Sequence, residues 1–177
     1  RVLGTLGHFD EAIELAEDKL LWIDDAQVID PKTLLVLFNN HSVNLQAVGE
    51  VEAAIECLRR SLDLIATTAG LDSPNYATYA LNLALIEGDL GRWSEALDLA
   101  EEGLALRLEH FGEGAPQTAR ALLVLGMLRR QSGAYLEAES ALRRAEASLR
   151  AEDPVDALEL GNLLAALGGL EQLLLQE

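Results

Sequence analysis

The segment GRWSEAL at residues 91–97 has three counterparts in the chain, and their spacing decides the fold. The counterparts are GHFDEAI at 7–13, GEVEAAI at 49–55 and GAYLEAE at 133–139. The glycine that begins each segment lies 42 residues after the previous one, and the alanine near its end keeps the same step. A constant period of about 20–50 residues is typical of stacked-repeat proteins, so we expect a repeat architecture.

The first half of each 42-residue unit has the features of a helix. In the stretch SPNYATYALNLALIEGDLG, Ser73 is expected to cap the helix and Pro74 to take its first position. Apolar residues then recur at three- and four-residue spacing, which places them on one helical face. Gly91 is expected to end the helix, because glycine readily adopts the positive φ that a helix terminus requires.

The second half of the unit predicts another helix. The stretch SEALDLAEEGLALRLEHFG begins at Ser94, keeps helical spacing of its leucines and alanines, and ends at Phe111. The connection at 112–118 then has a glycine and a proline in the same register as the connection at 70–76. Helix, tight turn, helix and glycine-proline loop thus alternate, which predicts an all-α fold of antiparallel helix pairs.

Small residues recur where the two helices of a pair are expected to cross. Ala96 and its equivalents lie on the second helix, while Ser42, Ala84, Gly126 and Gly168 align with one another on the first helix. A larger side chain at such a crossing would hold the helices apart, at a cost of about 1–3 kcal/mol for each overpacked site.

These residues resemble the tetratricopeptide repeat. The shared pattern is L-x-x-x-G-x-(F/W/Y)-x-E-A, with Asn-Leu-Ala at 82–84 upstream and G-x-x-x-P between units. The 42-residue period is similar to the longer-helix variety found in kinesin light chains and many bacterial signalling proteins. The resemblance implies one domain over residues 1–177, folded as a right-handed superhelical solenoid of about four repeats. Its units would be 1–25 (partial), 26–67, 68–109, 110–151 and 152–177 (partial or capping).

Three features depart from the repeat pattern. Glu87 and Arg129 stand where such repeats often place an aromatic residue. In the final unit, the pair Gly168-Gly169 is expected to interrupt the helix, and no G-x-x-x-E-A segment follows. This unit is expected to be a capping helix or an incomplete repeat, since the ends of a solenoid need a polar outer face.

Composition limits the classes of partner. The net charge is −17, from 30 acidic and 13 basic residues, which argues against binding to nucleic acid. The sequence has no apolar run of the length that a membrane span needs, so we expect a cytoplasmic protein that does not enter the membrane. Arginine far outnumbers lysine, which favours a GC-rich bacterial source. The chain begins at Arg1, and RVLGTLG is typical of the tail of a helix, so we expect a fragment of a longer protein.

The sequence has none of the common catalytic, nucleotide-binding or metal-binding motifs. Cys57 falls in register with apolar positions and is expected to be an inert core thiol, with a reactive thiol as the alternative. His41 also aligns with leucines and is expected to be a partly buried core residue. We therefore expect no enzyme activity, no cofactor and no metal site.

Acidic residues are distributed unequally between first and second helices. The ranges 31–49 and 115–133 contain no Asp or Glu, and 74–91 contains only Glu87 and Asp89. In the resemblance, first helices line the concave surface and second helices form the convex one, so most of the negative charge is expected outside the groove. The second-helix acids are Glu50, Glu52, Glu56, Glu95, Asp98, Glu101, Glu102, Glu109, Glu137, Glu139 and Glu146.

The resemblance also implies which positions contact a bound peptide. Asn40 and Asn82 match the inner-face asparagine that related repeats use to bind a peptide backbone; the alternative is that they bond local backbone or face water. Arg120 and Arg130 are expected to bind a carboxylate or phosphate, or else to form internal salt bridges with second-helix acids. By the same resemblance, Val36 and Gln131 are expected to face this groove. The peptide-contact positions are Asn39, Asn40, Val43, Gln46, Thr78, Leu81, Asn82, Leu85, Arg120, Leu123, Met127 and Arg130.

Three functions remain open on the sequence alone. The first is a scaffold that binds a protein or peptide partner in the concave groove. The second is a structural module that self-associates through exposed helix faces at its ends, as the leucine-rich segment 170–175 suggests. The third is the regulatory arm of a larger signalling enzyme.

Overall fold

The computed structural model describes residues 31–150 and 157–174, and every regular element in these ranges is an α-helix. The all-α prediction is therefore confirmed for the described residues, while the predicted half-repeat at 1–25 lies outside them. The helices are α1 (Pro31–Val48), α2 (Val51–Thr68), α3 (Pro74–Asp89), α4 (Trp93–Phe111), α5 (Pro116–Gln131), α6 (Tyr135–Arg150) and α7 (Ala157–Leu174).

Two helix boundaries differ from the sequence-based expectation. Helix α4 begins at Trp93, and its N-cap is Arg92, which makes no side-chain capping bond; Ser94 therefore lies inside the first turn and is not the cap. Helix α7 runs without interruption through the glycine pair at 168–169. Two glycines weaken a helix but do not forbid it, since their backbone φ can take the helical value as readily as any other. The expected interruption was wrong.

The turns inside the helix pairs share one geometry. Gly49, Gly91 and Gly133 have φ values of 88°, 73° and 88°, a left-handed conformation that side-chain-bearing residues rarely adopt. The residue after each glycine donates its backbone N–H to a carbonyl five residues earlier, which closes the end of the first helix in a Schellman-type arrangement. These bonds are Glu50 to Leu45 (2.8 Å), Arg92 to Glu87 (2.9 Å) and Ala134 to Arg129 (2.8 Å).

The chain separates into two compact units, which divide within α3 between Tyr79 and Ala80. In the first unit α1 packs against α2. The side chains between these helices are largely aliphatic, and Leu58 and Ile65 are almost completely excluded from solvent. The prediction of a single domain with the stated repeat boundaries stays a prediction.

The second unit contains the remainder of α3 and helices α4 to α7. Helix α4 packs against α5, α5 against α6, and α6 against α7. A continuous apolar cluster, in which Leu122, Leu142 and Leu163 are fully buried, connects these helices. The packing of consecutive helices on one another follows the order expected for an all-α repeat solenoid.

The predicted crossing of paired helices is confirmed where α5 meets α6. A Cβ atom added at Gly126 would lie 2.7 Å from both Cγ and Cδ2 of Leu142 and 3.4 Å from the carbonyl oxygen of Ala138. The second-helix alanines Ala54, Ala96 and Ala138 are all completely buried. Gly168 differs from Gly126 in being exposed, with no atom within 4 Å of the added Cβ. The small residues are therefore required where a second helix lies on the first.

We expect Gly126→Ala to destabilise the protein by about 1–3 kcal/mol, because the new methyl group overlaps the buried Leu142 and approaches the backbone of α6. Thermal unfolding followed by circular dichroism measures the effect. The matched control is Gly168→Ala, a glycine-to-alanine change in a helix with open space around it, which should leave the melting temperature unchanged or raise it. Equal melting temperatures for the two variants would contradict the account of the crossing.

Candidate interaction surface

Helix α1 presents the most accessible of the predicted contact residues. Val36 and Val43 are 58% and 54% exposed, and Asn40, between them, is partly exposed. Residues spaced by four and then three positions share one face of a helix, so the two valines and the asparagine form one continuous surface. This surface, Val36–Asn40–Val43, is called the α1 face below. An amide between two exposed aliphatic side chains can both donate and accept hydrogen bonds.

The neighbouring polar residues of α1 bond within the helix. The Ser42 hydroxyl donates to the carbonyl oxygen of Asn39 at 2.8 Å, and Gln46 Nε2 donates to the carbonyl oxygen of Ser42 at 3.2 Å. Asn39 is partly exposed and Gln46 is exposed. The Gln46 amide is therefore turned back toward its own helix, and only its remaining hydrogen-bonding capacity is available to a ligand.

Helix α3 presents a second set of contact positions. Thr78 is exposed, and Asn82 and Leu85 are partly exposed, again at spacings of four and three. Leu81 is different: it is only 7% exposed and belongs to the apolar cluster of the second unit. Leu81 therefore offers little surface to a ligand, because the one-residue offset from Asn82 turns its side chain by about 100° into the core; its contact with a ligand stays a prediction.

Helix α5 presents the third set. Arg120 is exposed, and Leu123 and Met127 are partly exposed on the same side of the helix. Arg130 is partly exposed but leans toward α7, with its Nη1 atom 3.5 Å from the position of a Cβ added at Gly169. Its Nε is buried without a hydrogen-bond partner. Arg120 is thus better placed than Arg130 to meet a ligand in solution.

Glu87, one of the two acids counted on α3, is not part of this surface. Its side chain is completely buried, and its Oε2 lies 2.9 Å from Nη1 of Arg92. At the equivalent position of the next unit, Nη2 of Arg129 lies 2.9 Å from Oε1 of Glu101. Glu87 and Arg129, which stand where such repeats often have an aromatic residue, are therefore both held by ion pairs.

The second-helix acids lie at the surface, as their position in the sequence indicated. Several are paired with arginines of the same helix: Glu56 with Arg60 at 3.4 Å, and Glu146 with Arg150 at 2.9 Å and Arg143 at 3.4 Å. The hydrogen bond from Arg150 and the charge of Arg150, together with the hydrogen bond and charge of Arg143, lower the pKa of Glu146 below its usual value, against a smaller opposing effect of burial. Arginines thus offset part of the negative charge on these helices.

The corner between α4 and α5 is held by several hydrogen bonds. The buried Thr118 hydroxyl lies 2.7 Å from the carbonyl oxygen of Gly112 and 3.2 Å from that of Arg107. Glu113 accepts two bonds from Arg144 of α6, at 2.7 and 3.0 Å, and its carbonyl oxygen accepts the Ser148 hydroxyl at 2.9 Å. This corner fixes the start of α5, and with it the backbone that carries Arg120.

Arg107 is a candidate that the sequence did not single out. Its guanidinium carbon lies 5.5 Å from the centre of the Phe111 ring, one helical turn later on α4. Burial lowers the pKa of Arg107, and the charge of Arg120 lowers it further. The i, i+4 spacing of arginine and phenylalanine was a visible signal for the cation–π contact.

Two residues with potential chemistry are in the interior. Cys57 and His41 are both buried, as expected for core positions. In the part of the chain that the structure describes, no three His, Cys, Asp or Glu side chains group in a way that would hold a metal ion. None of the helices among the described residues is long and apolar enough to cross a membrane.

Glu113→Gln should lower stability at neutral pH by up to about 1 kcal/mol, the usual range for an exposed ion pair. The hydrogen bonds from Arg144 lower the pKa of Glu113. The contribution of Glu113 is therefore present above the ordinary glutamate pKa, about 4.3, and is lost as pH falls through the lower pKa of the folded state. Melting temperatures of wild type and variant should converge in acid, whereas Glu109→Gln, at an exposed residue of α4, should differ little from wild type throughout. A gap that widens on acidification would contradict this assignment.

Comparisons with known proteins agree with this architecture. The family model for the tetratricopeptide repeat matches residues 33–109. A search among curated proteins gave no significant match to the sequence.

Several solved structures share the fold. The crystal structure of BtubC (BKLC) from P. vanneervenii aligns with a TM-score of 0.83 and 23% identity, over 96% of this chain and 68% of that one. A Podosopora anserina protein described as a kinesin light chain with nearly identical TPR-like repeats aligns with a TM-score of 0.73 and 24% identity, over 99% and 88% of the two chains. MamA aligns with a TM-score of 0.58 and 16% identity, over 99% and 95%. The repeat pattern, the helix pairs and the family-model match over residues 33–109 agree with one another, and the solved structures share the all-α repeat fold.

Proposed function

We propose that this chain is a protein-interaction scaffold that binds a peptide segment or a partner domain on the exposed faces of α1, α3 and α5. In the tetratricopeptide resemblance, the first helices of the repeats line the concave surface. Tetratricopeptide repeats generally mediate protein–protein interaction, which supports the class of function. The contact residues are those at the exposed positions of the three helices, to which Leu81 adds little surface.

The α1 face is the observation that carries the proposal. Val36 and Val43 each leave more than half of their surface in water, on a helix in which Leu34, Leu35 and Leu45 are buried. Covering such side chains with a ligand is favourable by roughly 25 cal/mol for each Å² of apolar area removed from water. Asn40 between them offers a donor and an acceptor to a peptide main chain, which gives affinity that does not depend on the ligand side chains.

The distribution of charge supports the same location. Helices α1 and α5 contain no acidic residue, although the whole chain carries a net charge of −17. Most of the acids that could repel an acidic ligand are on the second helices; on α3, Glu87 is buried in an ion pair and Asp89 is exposed at the end of the helix. A polypeptide that approaches the first helices therefore meets less negative charge than the net charge suggests. The same net charge disfavours nucleic acid as the partner.

The test uses 12-residue peptides selected by display against the wild-type chain. Val43→Asp should weaken the affinity of the selected peptides at least tenfold, because it replaces an apolar contact by an ion that loses hydration on binding. Leu136→Asp is the matched control, since Leu136 is 72% exposed but lies on the second helix α6. Fluorescence anisotropy measures the affinities, and circular dichroism verifies that both variants remain folded.

Asn40→Ala combined with Asn82→Ala should also weaken binding without changing helicity or melting temperature. Equal affinities for wild type, Val43→Asp and the double asparagine variant would contradict peptide binding on the first helices. If only Leu136→Asp bound the peptides more weakly, the binding site would lie on the second helices.

Self-association is a second candidate, favoured by one observation on α7. Leu164 is 42% exposed, and Gly161 and Gly168 have open space beside them. If this surface joins two copies, sedimentation equilibrium should show a mass that rises with concentration, and Leu164→Glu should return the chain to a monomer. A constant monomer mass in the wild type would exclude this candidate.

A further inference from the structure

We propose that the guanidinium of Arg130, which lies beside Gly169 where α5 meets α7, binds an anionic group of the partner polypeptide, a carboxylate or a phosphate. The inference rests on the proposed function, because it specifies one chemical feature of the ligand. It also assigns a role to Gly169, a residue that departs from the repeat pattern and that the scaffold function alone does not explain.

The guanidinium of Arg130 has hydrogen-bonding capacity that the described residues do not use. Its Nε is buried and has no hydrogen-bond partner, and among the described side chains no carboxylate is paired with it. The adjacent Arg129 is different, since its Nη2 lies 2.9 Å from Oε1 of Glu101. A buried cation without an anionic partner is unfavourable, and an anion that bonds to the same guanidinium offsets its charge.

The Arg130 side chain is within reach of a ligand. It is partly exposed and lies three residues after Met127 and seven after Leu123, so the three side chains share one face of α5. Met127 and Leu123 are also partly exposed. An anion at Arg130 therefore has apolar surface beside it, where the lower local dielectric strengthens a charge-assisted hydrogen bond. Arg120 is the more accessible arginine, but water solvates an exposed guanidinium, so an anion gains less there.

Gly169 provides the space that this guanidinium occupies against α7. A Cβ atom added at Gly169 would lie 3.5 Å from Nη1 of Arg130, which is van der Waals contact, so a long side chain there would compete with the guanidinium for the same space. The earlier first helices have Val43, Leu85 and Met127 at this register of the 42-residue period. Glycine weakens the interior of a helix, and the position of the guanidinium accounts for its presence here.

The charge of α5 favours an anion at this point. The helix contains three arginines, two of them in its last turn, and no acidic residue, although the whole chain carries a net charge of −17. The dipole of a helix opposes an anion at the C-terminus with a partial charge of about half an elementary charge. That partial charge is smaller than the unit charge of Arg130, so the net interaction with an anion is attractive.

The first experiment does not require a peptide. The side-chain Nε–H signal of Arg130 is followed by NMR during titration with sodium acetate and, separately, with inorganic phosphate, at constant ionic strength. The Arg130 signal should shift saturably, whereas that of Arg60, an exposed arginine paired with Glu56 at 3.4 Å, should shift little and without saturation. An Arg130 shift that matches the Arg60 shift would overturn the proposal.

Two glycine substitutions in α7 test the space beside the guanidinium. Gly169→Met, which introduces the residue that α5 has at this register, should displace the guanidinium and abolish the saturable shift of Arg130. Gly161→Met is the matched control, because Gly161 is exposed on the same helix and an added Cβ there has no atom within 4 Å. Circular dichroism verifies that both variants keep their helicity. A saturable shift that Gly169→Met leaves unchanged would contradict the role of Gly169.

The second experiment uses a peptide selected as above and synthesised with glutamate, glutamine or phosphoserine at each position in turn. At one position, wild type should bind the glutamate or the phosphoserine form about tenfold more tightly than the glutamine form, and the tighter of the two identifies the anion. Arg130→Gln should remove this preference and still bind the glutamine form, while Arg60→Gln should keep the preference. A wild type that shows no preference at any position, or a preference that survives in Arg130→Gln, would overturn the inference.

The two experiments separate the inference from the proposed function. If no peptide binds but the anion titration saturates at Arg130, the scaffold function fails and the anion site stands. If peptides bind on the first helices without any preference for an anion, the anion site fails and the scaffold function stands. Arg130→Lys, which keeps the positive charge but not the planar fork, should give an intermediate preference.

Discussion

The close approach of paired helices at small residues is the constraint on which the rest of this structure depends. At the α5–α6 crossing, Gly126 leaves no room for a Cβ atom because the side chain of Leu142 and the backbone of Ala138 occupy that space. Packed protein interiors have few spare volumes, so the crossing fixes which face of each helix is covered. The opposite face of the first helix remains accessible, so side chains on that face can contact a ligand.

Acidic residues are distributed unequally between the first and second helices. The second helices carry most of the acids at the surface, and the arginines of the same helices bind some of them. The first helices α1 and α5 carry none, and they expose valine, asparagine, methionine and arginine. The net charge of a repeat protein is thus a poor guide to its binding surface, because the charges belong to specific helices. A surface of aliphatic and amide groups is suited to a polypeptide.

The 42-residue period predicts the structural features that recur in every unit. It does not predict features that occur at a single position of the chain. The turn glycines, the buried alanines and the helix order recur every 42 residues, so one local pattern predicts them all. The burial of Leu81 and Glu87 was missed, because it depends on neighbours that the period does not preserve. The hydrogen bond from the Thr118 hydroxyl to the carbonyl oxygen of Arg107 also escaped prediction, since it requires the loop at 112–115 to hold α4 and α5 in one relative position. Candidate contact residues could be named from the repeat register, but their accessibility could not.

The central claim is that a bound polypeptide lies on the first helices of the repeats. Amide hydrogen exchange, followed by mass spectrometry with and without a selected peptide, tests it most directly. The account predicts slower exchange in α1, α3 and α5 and unchanged exchange in α2, α4 and α6. Slower exchange concentrated in α2 and α6, with α1 and α5 unaffected, would contradict it.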